Sequence, residues 1–225
     1  MGRTALRIDR YDTWGDWGLL LAAGWTLDEA EVKRETVDRP DGDGVIDFTG
    51  AVTGYPNYGN RAFNGNLILL PDRRQNWEIT RKIIANKING TRHRLILPDD
   101  EEHYLMGTIT MGTPTFSSGA RRFAATYPIT ADCDPYKYKN RLTEISYDNV
   151  TTLEITLRSE RMPAVPTILS SQALTVKSDN GTTLQISANV AREYPELILI
   201  NEETAWVLTS AQPATVTITY QEGSL

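Results

Sequence analysis

The feature that most constrains this chain is a period-two alternation of apolar and polar residues, repeated through its last third. Leu153, Ile155 and Leu157 alternate with Thr152, Glu154, Thr156 and Arg158. Leu184, Ile186 and Ala188 alternate with Thr183, Gln185 and Ser187, and Val216, Ile218 and Tyr220 with Thr215, Thr217 and Thr219. Successive side chains of a strand point to opposite faces, so each run predicts a strand with one buried face. Turn clusters separate the runs, among them Ser178-Asp179-Asn180-Gly181 and Ile200-Asn201-Glu202-Glu203. Asn-Gly tolerates the positive φ of tight hairpins. Short strands at intervals of roughly 8–12 residues predict a sandwich or barrel.

The N-terminal part follows the same rule. Phe63, Leu67 and Leu69 share a face with Gly65 between them, and Phe123, Ala125, Tyr127 and Ile129 repeat the pattern. Gly107 divides Tyr104-Leu105-Met106 from Thr108-Ile109-Thr110-Met111 and marks a bulge or a close approach. One segment departs from period two: Trp77, Ile84 and Ile88, with Ile83 beside them, fall at helical spacing. Asp72-Arg73-Arg74-Gln75 has capping-box spacing and Asn89-Gly90 suits a C-cap, so a helix is predicted near 73–89. Thr26-Leu27-Asp28-Glu29 has the same capping spacing, but Leu27, Ala30 and Val32 do not share a helical face, and strand is the reading for Asp28 to Thr36.

A length of 225 residues suits one large domain or two small ones. The polar, proline-bearing run around Asp134-Pro135-Tyr136-Lys137-Tyr138-Lys139-Asn140 separates two strand-rich blocks. The expected division is therefore residues 1–132, a linker over 133–140, and residues 141–225. A second irregular stretch, Asp38 to Asn66, is rich in Gly, Asp, Asn and Tyr and reads as a partly ordered excursion with work at a surface.

Charge and composition narrow the function. Asp+Glu 29 against Lys+Arg 23 argues against a general nucleic-acid binder. The early apolar run Leu19 to Ala23 is too short to span a membrane and follows Asp9, Asp12 and Asp16 rather than the positive charge of a signal peptide. Without such a signal, the sequons at Asn89, Asn149 and Asn180 carry no weight. Cys133 stands alone, which leaves no intrachain disulfide, and His93 and His103 are the only histidines. No Gly-x-Ser-x-Gly, Walker A loop or His-Glu-x-x-His is present. Asp41-Gly42-Asp43-Gly44-Val45-Ile46-Asp47 has the look of a calcium loop, but Val52 stands where the bidentate glutamate belongs, so it reads as glycine turns before a short strand. Asp99-Asp100-Glu101-Glu102 reads as a solvated turn, and the basic strip from Arg73 to Arg94 as a polar face that can meet acids of a neighbouring subunit. No catalytic, cofactor-binding or metal-ligating residue is identified.

Trp14, Trp17 and Trp25 read as core. Tyr55 and Tyr58 lie in a Gly/Asn/Pro stretch, where aromatic residues serve as interface anchors.

Asp43-Gly44-Val45-Ile46-Asp47-Phe48-Thr49, followed by Tyr58-Gly59-Asn60-Arg61, resembles the N-terminal signature of phage distal tail proteins. Leu95-Ile96-Leu97-Pro98-Asp99-Asp100 with Tyr104-Leu105-Met106-Gly107 resembles that family's next block, and Asp134 to Lys139 its inter-domain linker. Met162 to Ile168 and Val216 to Gly223 resemble its C-terminal half, so the likeness is collinear over nearly the whole chain. The resemblance implies a mainly β chain with one helix: an N-terminal barrel or split-barrel domain and a C-terminal galectin-like β-sandwich. It implies a virion protein, assembled in the bacterial host cytoplasm, that forms a hexameric ring at the tail tip of phages of Gram-positive hosts. Its partners would be the tail tube protein, the tail-associated protein and a receptor-binding protein, with no membrane, nucleic acid or cofactor. Asp43, Asp47, Tyr55, Asn57, Tyr58, Asn60 and Arg61 are the expected subunit contacts. The rival readings are a carbohydrate-binding module, for which Trp206 is the C-terminal lobe's only tryptophan, and a glycan-cleaving enzyme, which needs two poised carboxylates.

Overall fold

The computed structural model describes residues 4–69, 77–119, 122–200 and 203–225. Its chain divides into two compact units, residues 1–137 and 138–225. Both are β, and one short α-helix is present among the described residues.

The first unit is built on β1 (Arg7–Ile8), β2 (Tyr11–Asp12), β3 (Leu19–Leu21), β4 (Thr26–Leu27), β5 (Thr36–Asp38), β6 (Val45–Asp47), β7 (Arg61–Leu69), β8 (Thr91–Leu97), β9 (Asp100–Met111), β10 (Thr115–Gly119) and β11 (Arg122–Lys139). The main sheet runs β2-β1-β8-β9-β11-β7-β3, with β4 also on β7 and β10 on β11. At its centre β7 and β11 pair antiparallel from Leu69 opposite Ala125 to Arg61 opposite Cys133. The alternation read from sequence sets the inward row: Phe63, Leu67 and Leu69 on β7, and Ala125, Tyr127 and Ile129 on β11, are all buried. A fully buried leucine such as Leu67 contributes about 1.5–3 kcal/mol. Ile8 from one end of the sheet and Leu19 and Leu21 from the other share one core cluster with these residues. The Leu21 N–H donates to the Thr4 carbonyl at 3.0 Å and the Leu19 N–H to Thr13 at 2.7 Å, so the sheet curls until its ends meet.

The helix α1 (Trp77–Ile83) widens over Ile84–Ile88 into a π-turn, closed by the Asn89 N–H on the Ile84 carbonyl at 3.0 Å. Ile84 and Ile88 enter the core, as their spacing predicts. The chain leaves at Gly90, whose φ of 76° favours glycine. The expected capping box, Arg73, Arg74 and the side chains of Trp77 and Phe123 lie outside the described residues. Trp17 is buried against Tyr11 and Trp25 packs on Phe63 at 6.0 Å, in keeping with the core reading. Asp28 to Thr36 contributes only an isolated bridge, Val32 to Tyr58, before β5 begins at Thr36.

One local reading changes and one alternative is settled. The polar run 133–140 is extended as far as Lys139 within β11. Pro135 is accommodated because it lies beyond the last β7 partner, so its missing N–H breaks no rung of that ladder. Gly107 marks a close approach rather than a bulge, since β8 and β9 stay in register across it, with His93 opposite Gly107. A Cβ there would stand 2.7 Å from Cys133 Sγ and 2.8 Å from the Asp132 carbonyl oxygen.

The second unit contains β12 (Thr143–Arg158), β13 (Thr167–Ser170), β14 (Leu174–Ser178), β15 (Thr183–Ile186), β16 (Arg192–Glu193) and β17 (Glu203–Tyr220), with the short β18 (Gly223–Ser224) at its end. Its sheet order is β15-β14-β17-β13-β16, with β12 along β17. β17 turns one face inward along its length, with Trp206, Leu208, Ala214, Val216, Ile218 and Tyr220 buried. Where β17 passes Ala211 to Pro213, β12 shifts register between Tyr147 and Thr152. Side chains from both sides of that irregularity share one core, Leu174 and Val176 with Ile168 and Ile218, so the sheet folds over itself as two layers.

The Gly107 contact yields a first prediction. Gly107→Ala should lower stability by about 1–3 kcal/mol, because the methyl meets the backbone of a neighbouring strand. Chemical denaturation would show an earlier midpoint with an unchanged slope.

Candidate interface site

The excursion beginning near Asp38 contains a β-ribbon that, among the described residues, pairs only with itself. β5 and β6 join antiparallel, Thr36 opposite Asp47, Val37 opposite Ile46 and Asp38 opposite Val45, as a separate two-stranded sheet. Glycine serves the connection at Gly44, with φ of 88°, in line with the reading of a glycine turn before a short strand. All six strand residues are exposed. Val45 and Ile46 are adjacent in a strand and so project from opposite faces. Val37, Val45, Ile46 and Phe48 are 41–56% exposed and Val52 is 95% exposed. A two-stranded ribbon is marginal alone, and this one exposes apolar groups on both of its faces.

The base of the ribbon is fixed by polar contacts. The Phe48 N–H donates to the Glu35 carbonyl at 2.7 Å, and the Glu35 N–H to the Thr49 hydroxyl at 3.1 Å. Asp47 Oδ1 accepts the Thr49 N–H at 2.8 Å. Hydrogen bonds from the Thr49 side chain and backbone hold the Asp47 carboxyl below its ordinary range. The excursion returns through Gly59 N–H to Glu31 C=O and Lys33 N–H to Asn57 C=O, both 2.8 Å.

The expected contact residues fall into two groups. Asp43 and Asp47 lie on the ribbon and are exposed. Tyr55, Asn57, Tyr58, Asn60 and Arg61 lie on the return path toward β7. Tyr55 is half-buried, and Tyr58 is half-buried with its ring edge-on to Tyr136 at 6.0 Å. Asn57 is exposed, and the Asn60 amide donates to Asp132 Oδ2 at 3.2 Å. Arg61 is buried as the last inward residue of the β7 row, so the excursion ends at Asn60 and not inside the strand. Sequence reasoning missed Val37, Phe48 and the two faces of Val45-Ile46. Their signal was a short apolar run within an otherwise polar stretch.

Several other titratable groups have partners within the chain. His93 Nδ1 is 2.6 Å from Asp9 Oδ2, and His103 Nδ1 is 2.7 Å from Asp100 Oδ1. Arg92 and Arg94 do not crowd His93, because neighbours in a strand face opposite ways. Arg92 pairs with Asp134 and Arg94 stacks over Tyr104 at 4.4 Å, so this end of the basic strip finds partners within the chain. In the acidic turn Asp99, Glu101 and Glu102 are exposed, while Asp100 takes Lys137 Nζ at 3.3 Å. Burial opposes ionisation of Asp100, but hydrogen bonds from His103 and Lys137 outweigh it and lower its pKa. Burial pushes the Cys133 thiol up to about 12, which makes it a poor nucleophile. In the second unit a cavity of about 770 Å³ is lined by Glu154, Thr156, Lys177, Asp179, Ala205 and Val207 among others. Trp206 borders it but is 1% exposed and offers no stacking platform.

No protein-family model matches the chain, and no curated protein matches it. Among solved structures it resembles the Dit protein (gp 19.1) of phage SPP1, described as a paradigm of the hub adsorption apparatus in phages infecting Gram-positive bacteria. The likeness covers 100% of both chains with a TM-score of 0.61 and 14% sequence identity. The two proteins share a fold.

Asp47 provides a pH test of the ribbon base. Its folded pKa lies below the unfolded value, so its contribution is complete above that value and is lost as pH falls through the folded pKa. An NMR titration should place the Asp47 carboxyl midpoint below 3.8, and Thr49→Val should raise it.

Proposed function

We propose that this chain is a structural protein of a phage or prophage tail tip: a distal tail hub that closes into a ring, six copies in the family it resembles. In this reading the ring joins the tail tube to the tail-associated and host-adhesion apparatus, and the protein resides at the virion tail tip. The observation that carries the reading is the free-standing ribbon with apolar side chains on both faces, within a fold matched end to end by a phage hub protein. A ring needs a heterologous contact, in which one patch meets a different patch on the next copy. A projecting ribbon is suited to this, because it reaches beyond its own unit and brings little core of its own. Aromatic anchors and adaptable amides on the adjoining return path, Tyr55, Tyr58, Asn57 and Asn60, fit the same interface. The sugar-binding alternative receives no support from the second unit, whose only tryptophan is buried.

Native mass spectrometry and negative-stain electron microscopy of the full chain test the proposal. A closed ring of six copies is expected. Val37→Asp combined with Phe48→Asp should abolish the ring while monomer stability moves by no more than about 0.5 kcal/mol, because both side chains are exposed in the monomer. A chain that stays monomeric at all concentrations, alone and with tail proteins, would overturn the assignment.

A further inference from the structure

In the second unit β12 leaves a long strand edge without a neighbour. It has 16 residues and, among the described residues, pairs only with β17. Its register breaks near Asn149, whose φ is 58°, and then runs without interruption from Thr152 opposite Thr209 to Arg158 opposite Glu203. At the other ends of the sheet the outermost strands are short, β15 with 4 residues and β16 with 2. The devices that usually protect an exposed edge are short strands, prolines, lysines, bulges and inward-pointing charges. Thr152–Arg158 has none of them: its sequence is Thr-Leu-Glu-Ile-Thr-Leu-Arg and its register is regular. Among the described residues, no backbone group from Thr152 to Leu157 bonds to anything but β17. Thr152, Glu154, Thr156 and Arg158 are exposed on the outer face. On the inner face Ile155 and Leu157 are buried and Leu153 is half-buried.

The residue order along this edge points to its occupant. Laid antiparallel on a second copy of itself and centred on Ile155, the run sets Ile155 against its own counterpart, Leu153 against Leu157, Glu154 against Thr156 and Thr152 against Arg158. Directly opposed residues share a face, so the apolar side chains meet on the inner face and cover the exposed part of Leu153. On the outer face no charge opposes its like, and Glu154 lies diagonal to Arg158 of the other copy, an opposite charge. Centring on Glu154 would oppose that carboxylate to itself. Centring on Thr156 would leave Thr152 and Leu153 beyond the paired run. The edge is thus complementary to itself over its whole regular length, which an isologous contact requires.

We propose that Thr152–Arg158 is a docking edge through which the second units of two copies of this chain join antiparallel, making the layer β15-β14-β17-β12 continuous from one copy to the other. This two-fold contact is separate from the heterologous contact of a ring and uses neither the ribbon nor its return path. A single pair of short strands buries little surface, so one contact is weak and several presented together are strong.

The test traps the pair as a disulfide in the full-length chain. One preparation carries Thr152→Cys and a second carries Arg158→Cys; both positions are exposed, and the native Cys133 is buried. Under mild oxidation the mixture should give a covalent dimer much faster than either preparation alone, because the pairing sets position 152 of one copy against position 158 of the other. Thr156→Glu, added to both preparations, opposes like charges twice by symmetry and should lower the trapped fraction roughly two- to thirty-fold. Thr156→Lys opposes unlike charges at the same places and should raise it. Chemical denaturation of these variants should show unchanged stability, since Thr156 is exposed. The absence of a mixed cross-link, equal cross-linking of each preparation alone, or a change in the same direction for Thr156→Glu and Thr156→Lys would overturn the inference. A ring without the cross-link would overturn this contact and leave the hub reading standing, and a cross-link without a ring would do the reverse.

Discussion

The ladder between β7 and β11 is the constraint on which the first unit depends. Its rungs join residues 56 to 72 positions apart, from Leu69 with Ala125 to Arg61 with Cys133, and every inward side chain on both strands is placed by that single register. A slip of one residue would turn Phe63, Leu67 and Leu69 to the solvent face. Gly107 locks a third strand into the same arrangement, because β9 can approach Cys133 so closely only without a Cβ. β3 and β4 then add to the free edge of β7, and the curled sheet closes over α1 and its π-turn. The ribbon stands outside this frame, since it shares no rung with the main sheet.

What was legible in the sequence was whatever depends on residue class at period two or at helical spacing. Alternation of this kind needs no knowledge of partners: Ile155, Leu157, Val216 and Ile218 face inward because burying one side of a strand requires it. The helix was legible through Ile84 and Ile88, although nothing in the spacing announced the π-turn. Features set by a partner strand were not legible. Pro135 reads locally as a breaker and sits in a strand because the ladder it would interrupt has already ended. Gly107 carries its meaning only through Cys133, 26 positions away. The ribbon was hidden for a related reason. Its Val and Ile residues stay 41–56% exposed rather than joining a core, so the stretch reads by its glycines and aspartates as irregular.

Polar chemistry elsewhere serves to hold strands in place. Glu222 is 8% exposed; it accepts the Thr143 hydroxyl and Lys139 Nζ, the latter at 2.6 Å. That hydrogen bond raises the Lys139 pKa despite partial burial. The Lys139 N–H donates to the Glu222 carbonyl at 3.0 Å, and the Gln221 amide donates to the Lys139 carbonyl at 2.9 Å. The start and the end of the second unit are thereby tied through both side chain and backbone. These groups satisfy one another and fix the geometry of the unit's two ends.

The topology of the second unit also sets when it can fold. β12, β13 and β14 each pair with β17, and Thr143 at the unit's start meets Tyr220 near the chain's end. Until the ribosome has released β17, these strands lack their common partner and the two layers cannot close over one core. The first unit is complete by residue 137 and can collapse while the remainder is still being made. The second must wait until β17 has been made and then close loops of up to 77 residues, a slow search for a domain of its size. Synthesis therefore delivers a chain whose ribbon-bearing half matures first.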